Sequence, residues 1–281
     1  PCLIAAEELT PSQTVQFPRE LVLGMLTARG AANSHTGILA RTLGVPAVSQ
    51  LPVSRELHGH TAILDGFSGT LTLDPDEKTL AEANAKIAAQ QAQREALRQL
   101  ISAPSVTRDG RSIRLYANIA GTDDLPLLQR SGAEGVGLLR SEFLYLGRST
   151  YPTEDELFES YKTIVQAMDG REIIIRTLDI GADKQAGYFD MPPEDNPALG
   201  LRAIRLCLTR PILFQTQLCA ILRASRYGNV GIMFPMVTGP DELHRLKEAL
   251  ADAEDMLIAR GERFGPYRVG VMIETPAAVF M

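Results

Sequence analysis

From about residue 111 onward, the sequence repeats one unit: a short apolar strand, a loop and then an amphipathic helix. The predicted strands of this part lie at residues 112–118, 135–139, 172–176, 230–233 and 268–273. The predicted helices lie at residues 123–130, 154–168, 199–209, 211–225 and 240–260. Segments such as Gly-Val-Gly-Leu-Leu and Val-Gly-Val-Met-Ile are apolar throughout, which is typical of strands covered by helices on both faces. Apolar strands that alternate with amphipathic helices predict a parallel α/β fold.

The number of these strands leaves two architectures open. A (β/α)₈ barrel needs eight strands and about 250 residues. Residues 111–281 contain only five predicted strands. The region is therefore either an open α/β sheet or the N-terminal portion of a barrel, about two-thirds of the whole.

Two segments of different composition precede this region. Residues 1–74 alternate short strands with turns around one helix at residues 35–43, which predicts a compact mixed α/β domain. Residues 76–102 are rich in Ala, Gln, Glu, Leu and Arg and lack Gly and Pro, so they predict one helix about 40 Å long. Asp74 suits the N-cap of that helix and Pro75 its first turn. Few of its residues are large and apolar, which favours a connector between domains.

These differences predict how the chain is organised. A first domain occupies residues 1–74, a linker helix residues 75–110, and a (β/α) domain residues 111–281. Within the first domain, short apolar runs predict strands at residues 3–6, 21–25, 47–48, 61–64 and 70–73.

Charge and apolar content exclude two classes of function. Lys and Arg number 28 against 34 Asp and Glu, a net charge of −6 at pH 7, whereas general nucleic-acid binding needs a basic surface. We find no apolar run of membrane-spanning length, so no membrane insertion is expected.

The three cysteines show neither metal-ligand nor disulfide spacing, and a cytoplasmic location is expected. Cys207 and Cys219 lie in apolar helical stretches, where we expect them to be buried.

The first candidate for chemistry is His35, within Gly-Ala-Ala-Asn-Ser-His-Thr-Gly-Ile-Leu-Ala-Arg at residues 30–41. A loop of small residues leads into a predicted helix, so His35 lies at or beside the helix N-terminus. The positive end of the helix dipole favours a neutral ring, and free backbone N–H groups there suit a bound anion. A histidine that accepts and releases a phosphoryl group needs both properties. Taken alone, a single histidine at a helix start is more often structural.

The second candidate is a set of charged residues in the (β/α) region. Arg140 and Arg176 end two predicted strands, Arg202 begins a helix, and Glu274 follows the last strand. The carboxyl ends of parallel strands are where α/β folds bind ligands. Converging guanidinium groups suit a small polyanion, and a carboxylate suits Mg²⁺. Each arginine could instead cap a helix or pair with an acid, and one carboxylate alone does not make a metal site.

Three further charged residues lie in the same predicted loops. Glu142 and Asp183 could each orient one of the arginines, and Lys184 could assist an anion. An exposed loop lysine without a binding role is the more common situation.

Both sets of residues resemble Enzyme I of the bacterial sugar phosphotransferase system, the phosphoenolpyruvate–protein phosphotransferase family. Residues 30–41 are similar to the phosphohistidine signature of enzymes that use phosphoenolpyruvate (PEP), with mild departures at Asn33 and Gly37. The other similar segments follow in family order, at residues 133–144, 176–184, 232–236 and 274–278.

The resemblance implies a function for each candidate residue. PEP would phosphorylate His35 on a swivelling domain, and the phosphoryl group would pass to the phosphocarrier protein HPr for sugar uptake. Arg140, Arg176 and Arg202 would clamp the phosphate, and Glu274 would be one of two carboxylate ligands of Mg²⁺. The implied fold class is α/β: a swivelling phosphohistidine domain, a long connecting helix and an incomplete (β/α)₈ TIM-type barrel.

The resemblance also implies a homodimeric parent protein. The chain would be a fragment that lacks the HPr-binding domain and the C-terminal part of the barrel, and we expect it to turn over poorly or not at all by itself. Three alternatives stay open: a relative of the ATP-coupled pyruvate phosphate dikinase or phosphoenolpyruvate synthase, an Enzyme I module of a fused multiphosphoryl transfer protein, and a non-catalytic regulatory homologue. The strings at residues 8–14 and 177–184 favour Enzyme I over the dikinase.

Overall fold

The computed structural model of the chain describes residues 1–9, 21–30, 37, 40, 44–182 and 187–281. The chain divides into two compact units, residues 1–100 and 101–281. Each unit has its own cluster of buried apolar side chains. The predicted linker at residues 75–110 spans the boundary between the two units.

The first unit contains two small sheets. Its strands are β1 (Cys2–Ala6), β2 (Val22–Thr27), β3 (Ala47–Ser49), β4 (Ala62–Asp65) and β5 (Thr70–Leu73). β1, β2 and β3 form a parallel sheet in that order, and β4 pairs with β5 antiparallel. These strands confirm the predicted ones to within two residues at each end. The predicted helix at residues 35–43 lies outside the described residues, except for Gly37 and Ala40.

The long helix is present as α1 (Glu77–Gln99), but its predicted N-cap was wrong. The cap is Asp76, whose Oδ1 accepts the Thr79 N–H at 2.7 Å. The hydrogen bonds from Thr79 hold the pKa of Asp76 below its usual value. Asp74 cannot serve as the cap because its φ of +43° is left-handed rather than extended, and its carboxylate pairs with His60. No residue of α1 is buried, which agrees with its low content of large apolar residues.

The second unit is built on a five-stranded parallel sheet. Its strands are β6 (Tyr116–Ile119), β7 (Gly135–Arg140), β8 (Ile173–Arg176), β9 (Val230–Phe234) and β10 (Tyr267–Val271). The strands are adjacent in sequence order, from β6 to β10. A doubly wound sheet reverses its strand order, whereas successive units of a (β/α)₈ barrel do not. The described strands form an open sheet with the strand order of a barrel segment, and the fold class is α/β as predicted.

Helices follow the strands. The described α-helices of the second unit are α2 (Leu125–Arg130), α3 (Glu154–Ala167), α4 (Ala203–Thr209), α5 (Pro211–Ser225), α6 (Pro240–Ala259) and α7 (Pro276–Phe280). Three predicted boundaries were wrong. The strand predicted at residues 112–118 is only Tyr116–Ile119, and the helix predicted from residue 123 begins with a 3₁₀ turn. The helix predicted from residue 199 begins at Ala203, because Arg202 before it has extended backbone.

Helix α5 is the most buried helix of this unit because it packs against both α3 and α6. Its central residues Leu218, Cys219 and Ala220 have no exposed surface. Cys207 on α4 is equally buried, so the prediction for both helical cysteines is confirmed. Burial raises the pKa of Cys207 to about 12 and that of Cys219 to about 11. No helix in the described part of the chain combines the length and the apolar character that crossing a membrane requires.

Candidate functional site

Strand register brings two of the predicted site residues side by side. Arg140 and Arg176 are direct partners in the pairing of β7 with β8, and each is the last residue of its strand. Along the same row, Arg176 pairs with Met233 in β9, and Met233 pairs with Gly270 in β10. This row marks the carboxyl edge of the sheet, where parallel α/β folds bind ligands.

Arg176 is a buried cation held by two carboxylates. Its Nη2 donates to Glu142 Oε1 at 2.6 Å and lies 3.3 Å from Asp179 Oδ2. Only 9% of its side chain is exposed. A guanidinium removed from water in this way needs opposite charges close by. The prediction that Glu142 could orient an arginine is therefore confirmed.

Asp179 also holds Arg202. Its Oδ1 accepts hydrogen bonds from Arg202 Nη2 at 2.9 Å and from Nε at 3.2 Å. One buried carboxylate thus fixes the two arginines next to each other. Asp179 was not among the predicted site residues, although an acid three residues after a strand-end arginine is a detectable signal.

The backbone beside Arg202 is strained. Arg202 is the N-cap residue of α4, and the next residue, Ala203, is buried with φ of +51°. A non-glycine residue in this left-handed region costs about 1–3 kcal/mol, and such residues concentrate at binding and active sites. The Ala203 N–H donates to Ile180 O at 3.2 Å, which ties this turn to the loop that carries Asp179.

Arg140 differs from the other two arginines because its side chain is exposed. Within the described ranges, no ion pair is found for it, whereas Arg176 and Arg202 are each paired with Asp179. The site therefore combines two guanidinium groups held by Asp179, those of Arg176 and Arg202, with that of Arg140, which is exposed to solvent. Three arginines with two carboxylates, Glu142 and Asp179, leave this group with a net positive charge.

Glu274 is exposed and lies just beyond β10. Its Oε1 accepts the Met236 N–H at 2.7 Å, at a residue with left-handed φ of +60°. The next residue, Thr275, donates its hydroxyl to Val237 O at 2.7 Å and caps α7 through the Ala278 N–H. The turn that carries Glu274 is therefore fixed to the loop after β9.

The donor chemistry around Glu274 fits a magnesium ion that is shared with a substrate. Mg²⁺ prefers oxygen ligands and is commonly held by one or two carboxylates together with substrate phosphates and water. In the described part of the chain, no group of three or more His, Cys, Asp or Glu residues could hold a metal by itself. Glu274 would therefore be one ligand of a site completed by other groups.

Three residues singled out in the sequence are not placed by the structure. His35, Asp183 and Lys184 lie outside the described residues. Of the predicted site residues, the structure brings together Arg140, Arg176 and Arg202. It also connects the loop of Glu274 to them, because Met272 Sδ lies 3.8 Å from Arg176 Nη1.

Two family models match this chain. The PEP-binding domain of PEP-utilising enzymes matches residues 94–281, and the mobile domain of PEP-utilising enzymes matches residues 1–69. The chain belongs to the PEP-utilising enzymes. The predicted resemblance to the Enzyme I family is thereby confirmed at the level of its two domains.

Curated relatives agree with this assignment. The chain is 44% identical over 278 residues to a phosphoenolpyruvate-protein phosphotransferase of Bacillus subtilis (strain 168), covering 98% of this chain and 49% of the relative. It is 44% identical over 282 residues to a protein of the same name from Geobacillus stearothermophilus, covering 99% of this chain and 49% of the relative. A relative of the same name from Staphylococcus carnosus (strain TM300) is 42% identical over 278 residues, covering 98% of this chain and 48% of the relative. The chain spans about half the length of these relatives.

Among solved structures, a solution structure of Enzyme I (nEIt) is 38% identical to the matched part. The match covers 32% of this chain and 37% of that chain, with a TM-score of 0.30. An overlap this small does not bear on the fold.

Proposed function

We propose that the protein containing this chain is a PEP-dependent protein phosphotransferase. It would take the phosphoryl group of PEP onto His35 and pass it to the phosphocarrier protein HPr for sugar uptake. The observation that carries this proposal is the pair Arg176 and Arg202, held by Asp179 beside the exposed Arg140 at the carboxyl edge of the sheet. Two further findings support the proposal. The chain belongs to the PEP-utilising enzymes, and the relatives described above are named phosphoenolpyruvate-protein phosphotransferase.

PEP suits this group of arginines because it carries a carboxylate and a phosphate on a small carbon skeleton. Each guanidinium offers a planar fork of donors that can bind either group in a bidentate way. Arg176 and Arg202 are already oriented by Asp179, so little reorganisation would accompany binding. Arg140 would contribute its charge from the solvent side.

The reaction itself would be an in-line displacement at phosphorus. A neutral ring nitrogen of His35 would attack, the bond between phosphorus and the enol oxygen would break, and the enolate of pyruvate would leave and take up a proton. During such a transfer negative charge spreads over the equatorial phosphoryl oxygens. Guanidinium groups fixed beforehand would stabilise that charge.

Glu274 would hold Mg²⁺ together with the substrate. The hydrogen bond from Met236 N fixes one carboxylate oxygen of Glu274. When bound, Mg²⁺ would neutralise charge on the phosphate as a Lewis acid. The second carboxylate ligand, homodimerisation and a cytoplasmic location also belong to this proposal.

The test uses the full-length protein with PEP labelled in its phosphate, Mg²⁺ and HPr, without ATP. We expect label on HPr, and no label with His35→Ala. Transfer that requires ATP would instead indicate a dikinase or synthase. No transfer by an intact, folded protein would indicate the regulatory homologue.

Substitution of Arg140 tests the same proposal through the KM for PEP. Loss of a charge-assisted hydrogen bond of about 1.5–3 kcal/mol predicts that Arg140→Ala raises KM for PEP roughly ten- to a hundredfold. The matched control is Arg148→Ala, since Arg148 follows the same strand but pairs with Glu156 on α3. Equal KM values for the two variants would contradict a role of Arg140 in binding PEP.

A further inference from the structure

We propose that Gln217 is a positioning residue of the PEP site, resting on the function proposed above. Its side-chain amide links the loop after β7, which carries Glu142, to the loop after β8, which carries Asp179. These two loops directly follow Arg140 and Arg176 and are called the arginine loops below. Gln217 lies in the middle of α5 and is only 1% exposed. It does not contact the substrate site directly.

Both the oxygen and the nitrogen of the Gln217 side-chain amide are hydrogen-bonded. Oε1 of Gln217 accepts the backbone N–H of Leu178 at 2.9 Å. Nε2 donates to Ser141 Oγ at 3.0 Å and to the Tyr161 hydroxyl at 3.1 Å. A single side chain of α5 thereby joins the β7 loop, the β8 loop and helix α3.

The partners of Gln217 are next to the residues that form the site. Ser141 stands between Arg140 and Glu142, and Leu178 directly precedes Asp179. The Arg176–Glu142 ion pair joins the end of β8 to the loop after β7, and the Gln217 amide joins the same loop to Leu178, two residues after Arg176. The ion pair lies within the proposed site, and Gln217 lies in the core.

Buried hydrogen bonds of this kind fix a geometry. Inside a protein a fully satisfied polar network is rigid, whereas a buried N–H left without its acceptor costs about 1–3 kcal/mol. Without Gln217, the buried Leu178 N–H would lose this acceptor, and the β8 loop would be expected to shift to find another. A shift of about 1 Å at a reacting site can slow a reaction by two orders of magnitude.

The chain offers a matched control on the same helix. Gln215, two residues earlier, donates its Nε2 to Ala249 O at 2.9 Å on α6 and contacts neither arginine loop through that bond. Gln217→Met and Gln215→Met remove the same chemical group and keep a side chain of similar length. Both variants should lower the melting temperature, and only Gln217→Met should affect the site.

The experiment compares two half-reactions of the full-length protein. The first is phosphorylation of His35 by PEP, which uses the arginine loops. The second is phosphorylation of His35 by phospho-HPr in the reverse direction, which does not require them. For Gln217→Met we expect the first to slow by about tenfold or more, chiefly through a higher KM for PEP, and the second to change by less than about twofold. Gln215→Met should change neither by more than about twofold.

Each remaining outcome has a defined meaning. If Gln217→Met matches Gln215→Met in both half-reactions, Gln217 has only a structural role and the inference is overturned. If Gln217→Met does not fold, Ser141→Ala decides, since it removes the hydroxyl that accepts from Gln217 in the β7 loop and should raise KM for PEP by about threefold. An unchanged KM in that variant overturns the inference. A wild-type protein that takes no phosphoryl group from PEP contradicts the proposed function itself, and the inference falls with it.

Discussion

At the scale of single residues, one carboxylate determines the spacing of two arginines. Asp179→Asn keeps the shape of the side chain and one acceptor but removes the charge shared by Arg176 and Arg202. We expect a loss of about 1–3 kcal/mol in the free energy of unfolding and a fall of roughly tenfold in kcat/KM for PEP. Urea unfolding and steady-state kinetics measure the two effects. A normal kcat/KM would show that the spacing of these arginines is not critical.

Burial of the helical thiols gives a second prediction at this scale. Burial raises the pKa of Cys207 from the ordinary value of 9.0 to about 12, with a smaller contribution from the charge of Asp179. Because the folded value is the higher one, this stabilisation is complete below pH 9 and is lost as the pH rises toward 12. We therefore expect the melting temperature to fall steeply above pH 9, and to fall less in Cys207→Ala relative to its own value at pH 8.

Alkylation of the native protein tests the same burial independently. At pH 8, iodoacetamide should modify the peptide that contains the exposed Cys2 and spare those that contain Cys207 and Cys219. Modification of Cys207 at the rate of Cys2 would contradict the packing of α4.

Residue types and positions indicated much of the site in advance, but not its connections. The sequence shows three arginines and Glu274 at strand or helix ends, because strand ends can be read from apolar runs. Which side chains pair with one another depends on tertiary structure. Asp179 meets Arg202 across 23 residues, and Gln217 meets Leu178 across 39. No local pattern encodes contacts at that separation.

At the scale of secondary structure, α5 makes two separate sets of polar contacts, one from its middle and one near its C-terminal end. Gln217 bonds to the arginine loops, whereas Arg223 joins α5 to α3 through Glu154 and Asp155 and to Glu262 just after α6. Its guanidinium also lies 4.2 Å from the centre of the Phe158 ring. The second set of contacts therefore holds helices together, away from the proposed chemistry.

Arg223→Met tests this division. The side chain is largely buried, so its loss should lower the free energy of unfolding by about 1–3 kcal/mol. Phosphorylation of His35 by PEP should proceed at the wild-type rate at a temperature where the variant is folded. A large rise in KM for PEP would mean that the helix layer and the site are coupled more tightly than these contacts suggest.

The secondary structure was predictable where local signals were strong. Helix α5 begins at Pro211 and ends at Ser225 as predicted, because proline favours the first helical turn and the segment that follows is continuously apolar. The start of α4 was not predictable, since the left-handed Ala203 is held by a backbone bond to Ile180 that no local pattern indicates. Tertiary contacts decided that boundary.

At the scale of the whole molecule, helix α1 ends the first unit, reaches the boundary with the second, and has no buried residues. Exposed helices without core contacts open locally at low cost. Limited trypsin digestion should therefore cut first at the exposed Arg94, Arg98, Arg108 or Arg111 and leave residues 112–281 resistant. A first cut within the five-stranded sheet would contradict the division into a linker and two domains.

The proposed function requires PEP to donate its phosphoryl group to His35. The most direct measurement is to incubate the full-length protein with PEP and Mg²⁺, and then to map the phosphoryl group by peptide mass spectrometry under non-acidic conditions. We expect one acid-labile phosphoryl group on the peptide that contains His35, and none in His35→Ala. A phosphoryl group on another residue, or none on a folded protein, would contradict the proposed function.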